Sequence, residues 1–242
     1  MTTTEFSEGF DTLLDSYRRF KDFDDRELLD SLDFNEYEKS VFLTQAQEQI
    51  VIELYTGRTD KSSSFEDTEE FRSYLRNLIE TAELTPLSIE RKGIVGRDSY
   101  FFNLPDDLLF ITFEGAIFGK DAECMEGEYA SVVPATQDEL HRVVGNPFRG
   151  PGSRRALRLD LANGFVEIVS KYSIQKYIVR YLRRPRPIVL FTSSQVENTG
   201  ASIDGYKDIT ECELEPALHR TILDRAVVLA LHSKSLYMGS KD

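Results

Sequence analysis

The chain has 242 residues, of which 40% are hydrophobic, and its formal net charge is −13. This composition excludes a wholly disordered protein, and the length allows one or two domains with a buried core. The longest strongly apolar run, residues 226–231, is far shorter than the roughly 20 residues of a membrane span. Two widely separated cysteines, Cys124 and Cys212, favour a reducing compartment. The first ten residues lack the basic and apolar regions of a signal peptide, so we expect a soluble protein inside the cell that makes it.

Charge is distributed unevenly along the chain. Residues 1–85 contain 21 acidic and 9 basic side chains, whereas residues 142–186 contain 11 basic side chains and only Asp160 and Glu167 as acids. An acidic part and a basic segment in one chain predict electrostatic association with a partner, although they say little about fold.

The first 85 residues have the apolar spacing of helices. One helical face is formed by Phe10, Leu13, Leu14 and Tyr17. Asn35 is a capping residue before a helix over residues 36–55 that Gly57 ends. A third helix is predicted from about residue 66 up to Pro86. Its apolar stripe is Phe71, Tyr74, Leu75, Leu78, Ile79 and Ala82.

After Pro86 the apolar pattern changes to the alternation of strands. Residues 98–103 and 108–117 read as strands, and residues 137–144 as a short helix. The clearest hairpin joins residues 155–161 to 165–169 through Asn163-Gly164, a turn signal of type I′.

One more strand and one more helix complete the predicted elements. Residues 174–182 alternate, with Tyr177, Val179 and Tyr181 on one face, until Pro185 and Pro187 end the strand or confine it to a sheet edge. Pro216 then fits the first turn of a C-terminal helix.

These elements predict an α+β fold in which N-terminal helices and a C-terminal helix pack with a small antiparallel β-sheet. The expected organisation is a helical region over residues 1–85, an antiparallel β region with the basic segment over 86–213, and a C-terminal helix and tail over 214–242. We expect this last helix to pack on the helical region as one domain.

Signatures of catalysis are weak. The stretch from Gly115 to Asp121 differs from a phosphate-binding loop, since only three residues separate its glycines and Asp121 stands where Ser or Thr must reach Mg²⁺. Glu90 and Lys92 resemble a nuclease pair without its preceding aspartate strand. His141, His219 and His232 are not at metal-ligand spacing. We therefore expect no enzyme, no bound metal and no cofactor.

The basic segment is the remaining functional signal, because arginine presents a rigid fork of donors that suits carboxylates and phosphates. Three interpretations stay open: docking on the acidic surface of a subunit, contact with nucleic acid, or a solvated face that balances the acidic part. Arg158 and Arg180 are predicted to project from a sheet face. The candidate interface residues are Arg149, Arg154, Arg155, Arg158, Arg180, Arg183, Arg184 and Arg186.

An ordered set of five blocks resembles a known family. The blocks are NEYEKSVFLTQAQEQIVIELYTG, FEDTEEFRSYLRNLI, NPFRGPGSRRALRLD, VEIVSKYSIQKYIVRYLRRPRPIVL and CELEPALHRTILDRAVVLAL. Together they resemble the ring, or adaptor, structural proteins of crAss-like bacteriophages, over about residues 34–231. None of the blocks is a catalytic signature by itself.

The resemblance implies a phage-adaptor-like fold and a non-enzymatic virion protein. Such a protein is a subunit of a ring, a dodecamer, in the head–tail connector, where the ring joins the portal to downstream tail components around the DNA channel. Its implied partners are further copies of itself, the portal protein, neighbouring ring or tail proteins, and DNA that passes without sequence-specific contact; no membrane is implied. It would reside in the virion, and in the host cytoplasm during assembly. The residues themselves leave one alternative, a DNA-binding protein that uses residues 142–186.

Overall fold

The computed structural model describes residues 1–20, 33–57, 69–88, 99–192 and 202–238. The chain forms two compact units, a helical unit of Met1–Leu78 with Pro185–Asp242 and a strand unit of Ile79–Arg184. The domain division predicted at residues 85 and 213 stays a prediction, because packing alone does not say which parts fold independently.

The described helices are, in chain order, α1 (Thr3–Phe20), α2 (Glu36–Thr56), α3 (Glu69–Leu75), α4 (Leu140–Val144) and α5 (His219–Met238). In the helical unit, α5 packs against both α2 and α1. Apolar side chains that are almost fully buried on these three helices include Phe6, Phe10, Leu43, Val51, Ile222 and Ala226. Burial of these side chains is the main stabilising contribution of the unit.

The ends of α2 follow from local chemistry. The Asn35 side chain accepts a hydrogen bond from the Glu38 backbone N–H at 2.9 Å, and the Glu38 carboxylate accepts one from the Asn35 backbone N–H at 3.1 Å. This reciprocal pair is a capping box. Gly57 ends the helix with a φ of 68°, a left-handed conformation that suits glycine. The helix predicted over residues 36–55 is confirmed.

A polar stripe on α2 binds an extended segment of the same unit. The Ser40 hydroxyl oxygen accepts a hydrogen bond from the Leu190 backbone N–H at 2.9 Å, and the Thr44 hydroxyl oxygen accepts one from the Ile188 N–H at 3.1 Å. The Gln47 amide donates to the Arg186 carbonyl at 2.8 Å. These buried side chains satisfy backbone groups that would otherwise lose hydrogen bonds to water.

The strand unit contains one seven-stranded sheet. Its strands are β1 (Ile79–Leu84), β2 (Ser99–Asn103), β3 (Leu108–Phe118), β4 (Tyr129–Pro134), β5 (Arg155–Asp160), β6 (Phe165–Val169) and β7 (Ile174–Arg183). Their order across the sheet is β1-β7-β3-β4-β5-β6-β2.

The prediction of a small, antiparallel sheet is wrong in both respects. Although the other neighbouring pairs are antiparallel, β4 and β5 run parallel, so the sheet is mixed. The physical reason is the connection between them, which includes α4 and returns the chain to the same end of the sheet. Strand β4 was not predicted from the sequence.

The third predicted helix is also wrong beyond Leu78. Helix α3 ends at Leu75, a single 3₁₀ turn covers Arg76–Leu78, and the chain then enters strand β1. Pairing with β7, in a register that places Ile79 opposite Leu182 and Leu84 opposite Tyr177, overrides the helical spacing of this segment. The predicted start near residue 66 lies outside the described residues.

The predicted hairpin is confirmed. β5 and β6 pair antiparallel, with Asp160 opposite Val166. In the turn, Asn163 and Gly164 have φ values of 60° and 73°. Two consecutive positive φ values are what an Asn-Gly hairpin turn supplies at low cost.

The sheet curls around a single core. One cluster of apolar side chains takes members from every strand, among them Ala82, Phe102, Ala116, Val132, Ala156, Ile168 and Val179. The Leu87 backbone N–H, just after β1, donates to the Phe101 carbonyl of β2 at 2.8 Å. Because β1 and β2 are the two edges of the sheet, this bond brings the edges together. On the opposite face of β5 and β6, α4 covers a second cluster that includes Leu157 and Leu159.

Candidate interface site

The candidate arginines do not form one surface. Three lie in or next to the loop between α4 and β5, one lies inside the curled sheet, and three lie towards the end of β7. Arg186 belongs to the helical unit. The basic segment of the sequence is therefore divided among different environments, which are described in turn.

The loop of residues 146–155 exposes Arg149 and Arg154. The Asn146 side-chain oxygen accepts hydrogen bonds from the backbone N–H groups of Phe148, at 2.8 Å, and Arg149, at 3.2 Å. Arg155 is half-buried, and its guanidinium donates to the Phe148 carbonyl at 2.7 Å. The guanidinium groups of Arg149 and Arg154 are therefore exposed to solvent, whereas that of Arg155 stabilises the backbone of the loop.

Arg158 projects from a sheet face, but only 9% of the residue is exposed. It alternates with Ala156 on the inner side of the curled sheet and forms an ion pair with Glu114 of β3. Its Nε also lies 2.9 Å from a carboxylate oxygen of Asp160. Burial makes the Arg158 guanidinium part of the interior of the unit.

Tyr177 completes a buried polar cluster with Glu114 and Arg158, and the exposed Asp160 lies at its edge. The Tyr177 hydroxyl donates to the second carboxylate oxygen of Glu114 at 2.6 Å. Burial and the adjacent carboxylate raise the pKa of Tyr177 far above its ordinary value, so the phenol stays protonated. Burial lowers the pKa of Arg158, but the Glu114 carboxylate raises it and the net pKa is above its ordinary value. Neither group changes its charge near neutral pH, which is typical of a structural cluster.

The three arginines towards the end of β7 differ in their contacts. Arg180 is exposed on the strand face opposite Val179 and Tyr181. Arg183 is half-buried, and its Nε donates to the Glu80 carboxylate of β1 at 2.9 Å. The Arg184 side chain is exposed, while its backbone N–H donates to the Asp107 carbonyl at 2.7 Å.

Arg186 is engaged within the helical unit. Its side-chain Nε lies 3.2 Å from a carboxylate oxygen of Glu213, and its backbone N–H donates to the other oxygen at 3.1 Å. Because Glu213 binds both the side chain and the main chain, this pair positions the extended segment as well as its charge.

Sequence reasoning missed three exposed aromatic side chains. Phe148 is 87% exposed in the loop described above. Phe113 and Tyr129 are also exposed and stack on the outer face of β3 and β4, with ring planes 9° apart. A Cβ on Gly115 would lie 2.1 Å from the Tyr129 ring, so this glycine leaves room for the ring. The only sequence signal for Phe148 is its place among prolines and arginines, outside any apolar periodicity.

The family was decided by comparison with known proteins. A model of the family described as "Phage tail ring protein 3/4" matches residues 1–242, the full length of the chain. The chain belongs to this family. It is 46% identical, with full coverage of both sequences, to "Ring protein 3" of Bacteroides phage crAss001. It is also 29% identical to "Ring protein 4/5" of the same phage, over 99% of this chain and 94% of that protein.

The resemblance to crAss-like phage ring proteins is therefore confirmed. Membership in a family of ring proteins implies that copies of the chain associate into rings in the assembly of a phage structure. It also favours a structural role over an enzymatic one.

Two further observations concern this ring protein. Among the described residues, no group of three or more His, Cys, Asp or Glu side chains is placed to hold a metal ion. The helices in the described ranges include none that is both long enough and apolar enough to span a bilayer. Glu90 and Lys92, the nuclease-like pair of the sequence, lie outside those ranges.

Proposed function

We propose that this chain is a subunit of an oligomeric ring in the head–tail connector of its virion, where the ring joins the portal to downstream tail components around the DNA channel. The observation that carries the proposal is the full-length match to the phage tail ring protein family. The name of the relative that is 46% identical, "Ring protein 3", agrees with a ring subunit. In this role the chain acts as an adaptor between two larger assemblies.

The charge distribution supports ring closure. A ring of identical subunits closes through head-to-tail contacts, which use two different surfaces on each copy. Residues 1–85 are strongly acidic and residues 142–186 are strongly basic, so exposed side chains of the two segments can attract each other between copies. Arg149, Arg154, Arg180 and Arg184 are exposed and are the candidates for the basic side of this contact.

The connector role is tested by co-sedimentation of the purified chain with assembled portal rings of its phage, followed by cryo-electron imaging. We expect a symmetric ring that is docked on the portal, with the copy number of a dodecamer. Portal rings that pellet without the chain contradict the connector role.

The alternative role, direct DNA binding, is distinguished by its dependence on salt. Phosphate contacts release counterions, so affinity falls by orders of magnitude between about 50 and 200 mM salt. If the chain does not bind the portal but binds DNA with an affinity that falls this steeply with salt, the exposed arginines are phosphate contacts. If it binds the portal and not DNA, they belong to a protein interface.

A further inference from the structure

Phe148 is the most exposed large hydrophobic side chain in the part of the chain that the structure describes, at 87% of its accessible surface. The next most exposed are Ile209 at 50% and Phe113 at 48%. An aromatic side chain that is almost wholly exposed in the free subunit is a candidate anchor that becomes buried on association.

The loop that carries Phe148 is held in one conformation. The Phe148 N–H donates to the Asn146 side chain, and its carbonyl accepts from the Arg155 guanidinium. The Gly150 N–H donates to the Asn146 carbonyl at 2.8 Å, and a Cβ on Gly150 would lie within 2.8 Å of three backbone oxygens. Pro147 and Pro151 restrict the backbone further. Because the loop is ordered before contact, it loses little conformational entropy when Phe148 binds.

The surroundings of Phe148 are basic. Residues 140–155 contain four arginines and no acidic side chain. Of these arginines, Arg142, Arg149 and Arg154 are exposed. An aromatic anchor with flanking guanidinium groups fits a partner surface that offers apolar contact next to carboxylates. The loop carries only one exposed aromatic ring, whereas single-stranded nucleic acid is held by several rings in succession.

A surface of the required kind lies on α2 of the helical unit. Tyr37, Val41 and Ile52 are each more than a third exposed, and their spacing of four and eleven residues places them on one helical face. We call this the α2 face; Glu48 lies on it, one turn before Ile52. The helix carries four glutamates and a single lysine, Lys39.

The one lysine of α2 does not neutralise the α2 face. Lys39 is 4% exposed, and its ammonium group binds the carboxylates of Asp11, at 2.7 Å, and Glu36, at 3.1 Å. Its charge is therefore directed into a local ion-pair cluster. Glu53 of α2 pairs with a second cation, Arg225 of α5, at 2.6 Å. The four glutamates of α2 still outnumber these two cations, so the apolar side chains of the α2 face lie on a helix of net negative charge, which complements the Phe148 loop in both polarity and charge.

We infer that Phe148 of one copy packs on the α2 face of the next copy, with Arg149 and Arg154 opposite the glutamates of that helix. The inference rests on the proposed ring. A head-to-tail contact needs two unlike surfaces on each subunit, and this chain carries both. Both the charge of the two surfaces and the symmetry of a ring therefore indicate that the partner of the Phe148 loop is the next copy of the chain.

Site-specific cross-linking tests the contact. Phe148 is replaced by the photoreactive p-benzoylphenylalanine in the full chain, and equal amounts of ¹⁵N-labelled and unlabelled copies are mixed. The mixture is irradiated at high concentration, alone and with portal rings, and digested for mass spectrometry. We expect adducts that join labelled to unlabelled peptides and that contain residues of α2. The matched control carries the same photoreactive residue in place of Phe113, and we expect no α2 adduct from it.

The outcomes separate this inference from the proposed function. A ring that docks on the portal without a Phe148–α2 adduct overturns the inference and leaves the connector role intact. An α2 adduct between copies that do not bind the portal supports the inference and contradicts the connector role. The inference is also overturned if residue 148 forms adducts only with portal, with DNA or within one chain, or forms none in either sample. It is overturned as well if the Phe113 control gives α2 adducts.

The variant Phe148→Ala gives a second, independent measurement. Because the side chain is exposed, the variant should keep the unfolding midpoint of the wild-type chain. Association between copies should weaken about tenfold or more, which is the effect of removing an interface anchor. The matched variant Phe113→Ala should leave association unchanged. Equal association of Phe148→Ala and the wild type contradicts the inference.

Discussion

Glu114 and Arg158 form an ion pair inside the curled sheet, where both carboxylate oxygens of Glu114 have a partner. One oxygen pairs with Arg158 and the other accepts the hydrogen bond of Tyr177. Only about a tenth of either charged side chain is exposed. Two charges in a site of low polarity stabilise each other strongly, but each becomes costly when its partner is removed.

The variant Arg158→Met therefore tests the pair at the scale of one residue. It leaves Glu114 buried without its cation, so we expect the free energy of unfolding to fall by about 3–5 kcal/mol. The measurement is urea unfolding, monitored by circular dichroism. Arg180→Met is the matched control, since Arg180 is exposed on β7, and it should change the free energy by no more than about 0.5 kcal/mol.

A double variant shows whether the loss comes from the unpaired charge. Glu114→Gln combined with Arg158→Met removes both charges, and it should cost less than the sum of the two single variants. If Arg158→Met alone is as stable as its control, the ion pair contributes nothing measurable and Arg158 is open to an interface role.

At the scale of elements, the turn from α3 into β1 links the two units of the chain. Leu75 and Leu78, at the ends of α3 and of the following 3₁₀ turn, are both fully buried. Their burial anchors the end of the helical unit just before the chain enters β1. Of the helix predicted from the sequence, residues 69–75 are α-helical and residues 76–78 form the 3₁₀ turn, but the segment beyond Leu78 is a strand.

The variant Leu75→Ala tests this anchor. Truncation of a fully buried leucine removes apolar contacts and leaves a cavity, so we expect a loss of about 2–5 kcal/mol in the free energy of unfolding. Val41→Ala is the control, because Val41 is 37% exposed, and the expected loss is below about 1 kcal/mol. A loss from Leu75→Ala that is no larger than the control would show that this site relaxes around the missing side chain.

For the whole molecule, we propose that the exposed arginines and the acidic helices determine how copies meet. Arg149, Arg154 and Arg180 are exposed, whereas Arg158 lies in the interior and Arg155 binds its own loop. Electrostatic contacts of exposed groups contribute little to the stability of one copy, but they set the register and the choice of partner between copies.

Reversal of these three charges, in the variant Arg149→Glu, Arg154→Glu, Arg180→Glu, should leave the fold unchanged and reduce ring formation about tenfold or more. Sedimentation velocity with portal rings measures the loss. A variant of equal net charge, Arg76→Glu, Lys207→Glu, Arg220→Glu, changes exposed basic residues of the helical unit and should still form rings. Equal assembly of the two variants would remove the candidate arginines from the interface.

Elements whose signals are local could be predicted from the amino-acid sequence. The capping box of α2, the positive φ values at Asn163 and Gly164, and the alternation of β7 each depend on residues that are close in the chain. The five blocks that resemble crAss-like ring proteins were likewise readable without a structure, and the family comparison confirmed them.

Features that depend on partners distant in the chain could not be predicted in this way, because they follow from the packing of the folded chain. β1 became a strand because β7 lies beside it, and β4 and β5 became parallel because α4 lies in their connection. Arg158 could not be assigned to the interior because it alternates with Leu157 and Leu159, a pattern that predicts one core face and one solvent face, whereas β5 is buried on both faces. The exposure of Phe148 likewise depends on the conformation of a loop that is held by its own hydrogen bonds. Apolar periodicity in the sequence does not predict such a conformation.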